Sequence, residues 1–452
     1  MLEKEFTASD ATPATTLEDY LALEDRLFAE LDEKIYQRAD TSDEWLYSRY
    51  MAGGPQDPRW PTRNWNRTFE LVPDKIRAGA LLLHGLTDSP YSLRRVAEML
   101  YAKGFYVLGL RLPGHGTIPG ALTEVHWEDW VAASRIGARH VRERIGPDLP
   151  FLVVGYSNGG GLSVKYAMDS LTDSNLPIPN RLLLFSPEIG IEALAGIANS
   201  HRLLSFLPYF AKFKWLSIVP EYDPFKYNSF PKNAAQEAWE VTSALQKQIE
   251  EERGSGRFRD FPNVVAFLSW TDSTVSTSET INRLFDQLEN NGSELIIFDV
   301  NRFDLIKSFI PAANASPLAQ LEARVDLPYR LTIVSNTASN SRRITQRSKA
   351  PHSETVETEA LALEWPRSVY SLSHVAVPFA PDDPVYGAGE VVSDEYEGLP
   401  LGSLKPRGET RLLTASLGQL MRLRYNPFFA YVEQRINTEI DAAYKKGARA
   451  VD

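Results

Sequence analysis

A chain of 452 residues, 43% hydrophobic and 24% charged, exceeds one ordinary domain and can fill a large core. A net charge of −11 argues against a nucleic-acid partner, since a phosphate backbone would be repelled, and no apolar run reaches the length that spans a bilayer. The absence of cysteine excludes disulfides, a thiol nucleophile and cysteine-ligated zinc, and leaves cytoplasm and periplasm equally open.

The start, MLEKEFTASD, lacks the basic flank and apolar segment of a secretion signal. The chain as it stands therefore reads as soluble, which is also compatible with a leader or anchor removed upstream. Residues 1–50 read as helix, because Leu17, Leu21, Leu27, Leu31 and Ile35 recur at near-helical spacing among acidic residues. The breakers in GGPQDPRWP (53–61) close this part, which gives a helical N-terminal extension over 1–62. A strand or hairpin is expected within Trp65–Val72.

From there strands and helices alternate. A buried strand at Ala80–Leu83 runs into His84-Gly85-Leu86, and a helix opens at Ser89-Pro90, with serine as cap and proline in the first turn. Residues 93–103 read as helix, 105–110 as strand and 127–144 as helix, with RLPGHG (111–116) as a loop between the last two. A strand at 151–154 then meets Gly155-Tyr156-Ser157-Asn158-Gly159 and a small-residue helix. Another strand follows at Arg181–Phe185. This alternation, with buried apolar strands, predicts an α/β fold built on a doubly wound, mostly parallel sheet. The core is placed at 63–187 and resumes at 263–385.

Some 75 residues separate the strand at 181–185 from the next clear one, Val264–Trp270, far more than a crossover helix requires. Residues 188–262 are therefore read as an inserted cap or lid. Its aromatic cluster, Phe206, Tyr209, Phe210, Phe213 and Trp215, either packs the insert on the core or lines an acyl pocket, and both can hold. Residues 276–290 read as helix, 294–300 and 329–335 as strands, and 336–373 as polar and irregular. The tail, 386–452, reads as a helical addition on the core, helical mainly over 412–444 with a break at Asn426-Pro427.

The chemistry centres on G-x-S-x-G. A serine on so sharp a strand-to-helix turn needs flanking residues without side chains, and its hydroxyl is then pushed into the open at the end of the sheet. Serine needs a base, and histidine is the usual one. In doubly wound hydrolases the order along the chain is nucleophile, acid, histidine, which leaves His352 and His374 of seven histidines. His352 sits in the polar stretch KAPHSETVETE and suits a solvated surface; His374, in SLSHVAVP, is preferred. The acid is expected after the strand 264–270, at Asp272, with Asp299 in reserve. Backbone amides of Leu86 and Asn158 are the expected oxyanion donors, which makes His84 and His115 loop-shaping residues.

The stretches HGLTDSP (84–90), RLPGHG (111–116), GYSNGG (155–160), WTDSTV (270–275) and SLSHV (371–375), in this order, resemble the α/β-hydrolase superfamily. Within it the chain is similar to the monoacylglycerol lipase, lysophospholipase and carboxylesterase (serine-aminopeptidase-like) group, through the H-G-apolar-T-x-S-P loop, the G-H-G turn and Trp127-Glu-Asp-Trp130. The resemblance covers roughly residues 64–300 and the histidine segment. It implies Ser157 as nucleophile, Asp272 as acid, His374 as base, oxyanion amides at Leu86 and Asn158, and a cap at 188–262. The terminal additions, the strand near 329–335 and the long path to His374 depart from the minimal fold and leave the substrate open.

The expected function is a serine hydrolase of carboxylic esters with an apolar acyl chain. An aminopeptidase or amidase on the same residues is the alternative, and a non-catalytic small-ligand receptor on the same fold is the remote one. No histidine–carboxylate cluster has metal-site spacing, and no P-loop lysine follows Gly159-Gly160-Gly161 at the right distance, so neither metal nor cofactor is expected. Oligomeric state has no signature in the sequence.

Overall fold

The structure, a computed structural model, describes residues 2, 4–42, 45–59, 63–190, 214–303, 316–389, 396, 398–404 and 417–449. Its strands are β1 (Phe69–Leu71), β2 (Ala78–Leu83), β3 (Phe105–Leu110), β4 (Phe151–Tyr156), β5 (Arg181–Phe185), β6 (Trp215–Ser217), β7 (Phe230–Pro231), β8 (Asn263–Ser269), β9 (Glu294–Phe298), β10 (Arg330–Asn336), β11 (Arg343–Lys349) and β12 (Val356–Glu364). The principal helices before residue 300 are α1 (Leu17–Lys34), α2 (Arg94–Ala102), α3 (Trp127–Ile145), α4 (Asn158–Ser170), α5 (Lys232–Ser255) and α6 (Thr277–Arg283). Ten strands form one sheet in the order β1-β3-β2-β4-β5-β8-β9-β10-β11-β12. Pairing is parallel from β3 through to β10, while β1, β11 and β12 join antiparallel. This is the α/β-hydrolase fold.

The central strands are buried on both faces, and successive side chains divide between two cores with the period of two that a pleated strand imposes. Leu81, Val153, Leu182, Leu184, Val264 and Ile297 pack with α3, α4 and α5 on one face. Leu82, Val154, Leu183, Val265 and Ile296 pack on the other with α2 and the C-terminal helix Phe429–Arg449. The chain passes from β2 outward to β3 and then crosses back to β4 on the other side of β2. That reversal opens a crevice at the carboxyl ends of β2 and β4, where ligands of open α/β sheets sit.

The terminal additions join these cores. A reciprocal cap between Thr16 and Asp19 starts α1. Its Tyr20 hydroxyl donates to the Arg111 carbonyl at 2.6 Å, and Leu17 and Tyr20 are part of the α3-face core. Arg111, fully buried, bonds Glu24 of α1 at 3.1 Å and Glu5 at 3.0 Å. Phe428, Phe429, Val432, Ile436 and Ile440 of the tail fill the opposite core.

Several expectations change. Residues 336–373 are not irregular: β11 and β12 lie there. Their strands, RITQRSK and VETEALALE, are polar because β12 is exposed at most positions, and cross-strand pairs such as Gln346–Glu359 (2.7 Å) replace apolar burial. The helix expected over 276–290 is α6 followed by a single 3-10 turn at Phe285–Gln287. Helix in residues 1–50 is chiefly α1, and the tail helix runs Phe429–Arg449 after a short turn at Leu417–Leu420. Of the stretch 188–262, residues 191–213 lie outside the described residues. The rest contains the β6–β7 ribbon and α5, whose Val241, Leu245 and Ile249 are buried in the α3-face core. No helix among the described residues is long and apolar enough to cross a membrane.

Removing one partner of a buried pair leaves an uncompensated charge. Arg111→Met is therefore expected to lower stability by about 3 kcal/mol, read from urea midpoints. A loss below about 1 kcal/mol would show that this pair does not hold α1 to the core.

Candidate active site

Strand β4 ends at Tyr156 and α4 begins at Asn158, so Ser157 alone makes the turn, with φ 55° and ψ −120°. The glycines allow it. A Cβ on Gly155 would stand 2.4 Å from the Gly159 carbonyl oxygen, and one on Gly159 would stand 2.0 Å from the Leu83 carbonyl oxygen. Such a backbone costs about 1–3 kcal/mol and persists only where its surroundings over-determine it. Here they do. The Ser157 N–H donates to Phe185 O at 3.0 Å, and its carbonyl accepts from Gly160 (2.8 Å), Gly161 (3.1 Å) and Glu188 (2.9 Å).

The Ser157 hydroxyl lies 2.9 Å from His374 Nε2, and His374 Nδ1 lies 2.7 Å from Asp272 Oδ2. Both the serine and the histidine are buried, at 7% and 3% exposure. Asp272 follows β8, in the loop that also holds Trp270, whose N–H donates to Phe298 O. The second oxygen of Asp272 accepts the N–H groups of Thr274 (2.8 Å) and Val275 (3.0 Å). Burial by itself would raise the Asp272 carboxyl. His374 and those two amides outweigh it and hold the group below its usual range, ionised at neutral pH. His374 sits on a 3-10 turn (His374–Ala376), braced from below where Ser269 donates to Leu372 O at 2.8 Å. The Tyr156 ring lies 5.4 Å from the imidazole, on β4 beside it.

The rivals are placed elsewhere. His352 is an exposed turn residue with φ 55°. Asp299 is engaged by Arg302 at 2.6 Å. His84 accepts the Leu112 N–H on Nε2 at 3.0 Å and pairs its other nitrogen with Gly85 O, which ties β2 to the RLPGHG loop. Its ring packs 4.9 Å from that of His115. Burial pushes the His115 imidazole down to about 4 and that of His84 well below the ordinary value, so neither carries charge at neutral pH. Trp130, from the WEDW stretch, donates its indole N–H to Pro113 O at 3.0 Å and braces the same loop.

Leu86 stands in the loop after β2 and Asn158 at the first position of α4, whose leading N–H groups have no partner in the helix's own ladder. Of the aromatic cluster, Phe206, Tyr209, Phe210 and Phe213 lie outside the described residues, and Trp215 is half-buried in the β6–β7 ribbon.

Two buried carboxyls near the site were not singled out from the sequence. Asp88, 3% exposed, bonds the Lys226 ammonium at 3.0 Å. Glu188, two residues beyond Ser186 at the end of β5, has its carboxyl buried, and no hydrogen bond to that carboxyl is found among the described residues. Charge in loops such as HGLTDSP and SPEIG was the available signal, but nothing in the sequence marks it as buried.

A model of the alpha/beta hydrolase family matches residues 80–300. Over 90 residues the chain is 39% identical to a thermostable monoacylglycerol lipase of Bacillus sp. (strain H-257), a match that covers 20% of this chain and 34% of that protein. The chain thus spans about a third of that relative's length. Among solved structures, one described under two metagenome-derived lipolytic enzymes, LipS and LipT, covers 57% of this chain and 98% of its own, with 20% identity and a TM-score of 0.42. The monoacylglycerol lipase of Paleococcus ferrophilus covers 51% of this chain and 88% of its own, at 16% identity and a TM-score of 0.37.

The Glu188 carboxyl titrates late. Burial first, and the Asp272 charge second, push it up to about 7 from an ordinary 4.5. Below pH 4.5 it is protonated whether folded or not, and folding loses nothing. As pH rises toward 7 the unfolded chain gives up a proton that the folded chain keeps, so stability falls across that window and levels off above it. Glu188→Gln removes this slope. The variant is expected to gain about 3 kcal/mol relative to wild type between pH 4 and pH 8, read by urea denaturation at both. Parallel profiles for the two proteins would contradict it. Residues 80–300, just under half of the chain, are thus similar to the alpha/beta hydrolase family, and the sheet that carries them has the α/β-hydrolase fold.

Proposed function

We propose that this protein is a serine hydrolase of carboxylic esters. The observation that carries the reading is the hydrogen-bonded line Ser157–His374–Asp272 at the carboxyl end of the sheet. With Asp272 ionised on Nδ1, the His374 tautomer leaves Nε2 free to accept the Ser157 proton. Ser157 Oγ then bonds the acyl carbon, and the carbonyl electron pair moves to oxygen as a tetrahedral oxyanion facing the Leu86 and Asn158 N–H groups. Collapse breaks the ester C–O bond, and His374 returns its proton to the leaving alkoxide. An acyl-serine remains. A water deprotonated by His374 attacks it by the same steps, which releases the acid and restores Ser157. The relative named as a monoacylglycerol lipase supports an ester with an apolar acyl chain, and the aromatic-rich stretch 203–216 is the segment proposed to cover that chain.

An aminopeptidase reading on the same residues needs a carboxylate to seat the substrate's ammonium. Asp88, the buried carboxylate flanking Gly85 with Ser157, is already bound to Lys226, which favours the ester.

Ser157→Ala is expected to abolish both p-nitrophenyl ester hydrolysis and labelling by a fluorophosphonate. Asp272→Asn, which keeps the shape and loses the tautomer, is expected to lower kcat about 10⁴-fold. Full esterase activity in the Ser157 variant, or aminoacyl anilides cleaved faster than esters by the wild type, would overturn the assignment.

A further inference from the structure

We propose that the Asp88–Lys226 ion pair is a positioning device for the reaction at Ser157, setting the net charge beside His374 and tethering the oxyanion loop. The proposal rests on the reading of Ser157, His374 and Asp272 as the reacting line. The pair stands beside that line. A Cβ placed on Gly85 would meet Asp88 Oδ2 and Ser157 Cβ, each at 3.2 Å, so the carboxylate and the nucleophile flank one glycine. Lys226 Nζ, 3.0 Å from that oxygen, also lies 6.0 Å from the centre of the Tyr156 ring, and that ring is the one packed on His374.

Lys226 is held there by a turn built for it. Asn228 Oδ1 accepts the N–H groups of Tyr222 (2.9 Å) and Asp223 (3.0 Å), and Asp223 Oδ1 accepts those of Phe225 (3.2 Å) and Lys226 (3.1 Å). The next residue, Tyr227, donates its N–H to Thr87 O at 2.8 Å. Thr87 is itself left-handed, with φ 63°, a conformation a β-branched residue adopts only when held. It lies between Leu86, whose N–H is proposed to receive the oxyanion, and Asp88. One turn therefore supplies both the counter-ion of Asp88 and the bond that pins the strained loop.

The electrostatic consequence has a definite sign. During acylation His374 becomes a cation while the substrate oxygen becomes an anion. A lone Asp88 carboxylate would favour the first charge and oppose the second; the Lys226 ammonium cancels it toward both. The other groups in this surround are Asp272 against Nδ1, Glu188 behind Asp272, Arg422 on the Thr274 hydroxyl at 2.8 Å, and Asp223, which Arg424 engages at 3.1 Å. None of them bonds Asp88, so the two members of the pair can be altered separately.

The acidic limb of kcat/KM against pH reports the protonation of the free enzyme's base. Measured on a p-nitrophenyl ester, Asp88→Asn is expected to move that limb down by roughly half to one pH unit, because His374 loses an anion and keeps a cation nearby. Lys226→Met, the variant to read should Asp88→Asn not fold, moves it up. Lys226→Arg leaves it in place, and the double variant Asp88→Asn with Lys226→Met brings it back to the wild-type position. A purely structural role would lower kcat/KM at every pH and leave the limb where it was. An unmoved limb in the folded single variants, or a double variant that keeps the displacement, overturns the proposal. Wild-type protein that neither hydrolyses the ester nor takes up a fluorophosphonate overturns the hydrolase reading beneath it, and is distinguished by failing before any variant is made.

Discussion

The closeness of two backbones at one serine is the constraint on which the rest depends. Helix α4 lies so close to β4 at Gly155, and to the end of β2 at Gly159, that neither glycine has room for a methyl group, and Ser157 is left as the single residue turning between β4 and α4. Its carbonyl gathers three N–H groups and its own N–H a fourth partner, drawn from α4, from β5 and from the residues just beyond β5. Sheet, helix and the loop after β5 are thus locked together at the residue whose hydroxyl meets His374. The strain is local, whereas the bonds that offset it reach across three elements.

Around this point, segments remote in sequence converge. Tyr91, directly after the loop 84–90, stacks on Phe225 at 3.9 Å and bonds Asp383, whose carboxylate also accepts the Val385 and Tyr386 N–H groups. Tyr386 donates to Asp223 at 2.5 Å, and Gln56 donates to the Tyr222 carbonyl at 2.6 Å. The N-terminal extension, the turn at 222–229 and the C-terminal addition therefore meet in one apolar and charged knot beside the loop. The terminal additions are thus part of the surroundings of the site.

The sequence made the parts governed by local rules legible. The strand–turn–helix around Ser157 follows from two glycines and an apolar run, chain order leaves His352 and His374 of seven histidines, and the polar surroundings of His352 favour His374. The structure brings Ser157, His374 and Asp272 into one hydrogen-bonded line. Burial and long-range pairing were not legible. RITQRSK and VETEALALE carry no apolar alternation strong enough to announce strands, because they take their order from neighbours in the sheet. Nothing local marks Asp88 in HGLTDSP, since its partner Lys226 is more than a hundred residues away. The length of 188–262 suggested a cover, but part of it, in α5, belongs to the core that supports α4. An amphipathic helix has the same pattern whether it shields a pocket or underpins one.

The last strand of the sheet has a consequence of a different kind. β12 offers nine residues at the margin, mostly exposed, and among the described residues its outer row of backbone groups has no neighbour in the sheet order. Such a margin is a template on which a second chain can crystallise its own strand. Glu357, Glu359 and Glu364 stand in the way, since laying the same strand of another molecule alongside would crowd two sets of carboxylates into one narrow strip. That guard acts through ionisation and falls within a Debye length, so acid and salt both weaken it. The guard stands at the margin farthest along the sheet from Ser157, where it bears on how molecules of this protein meet one another.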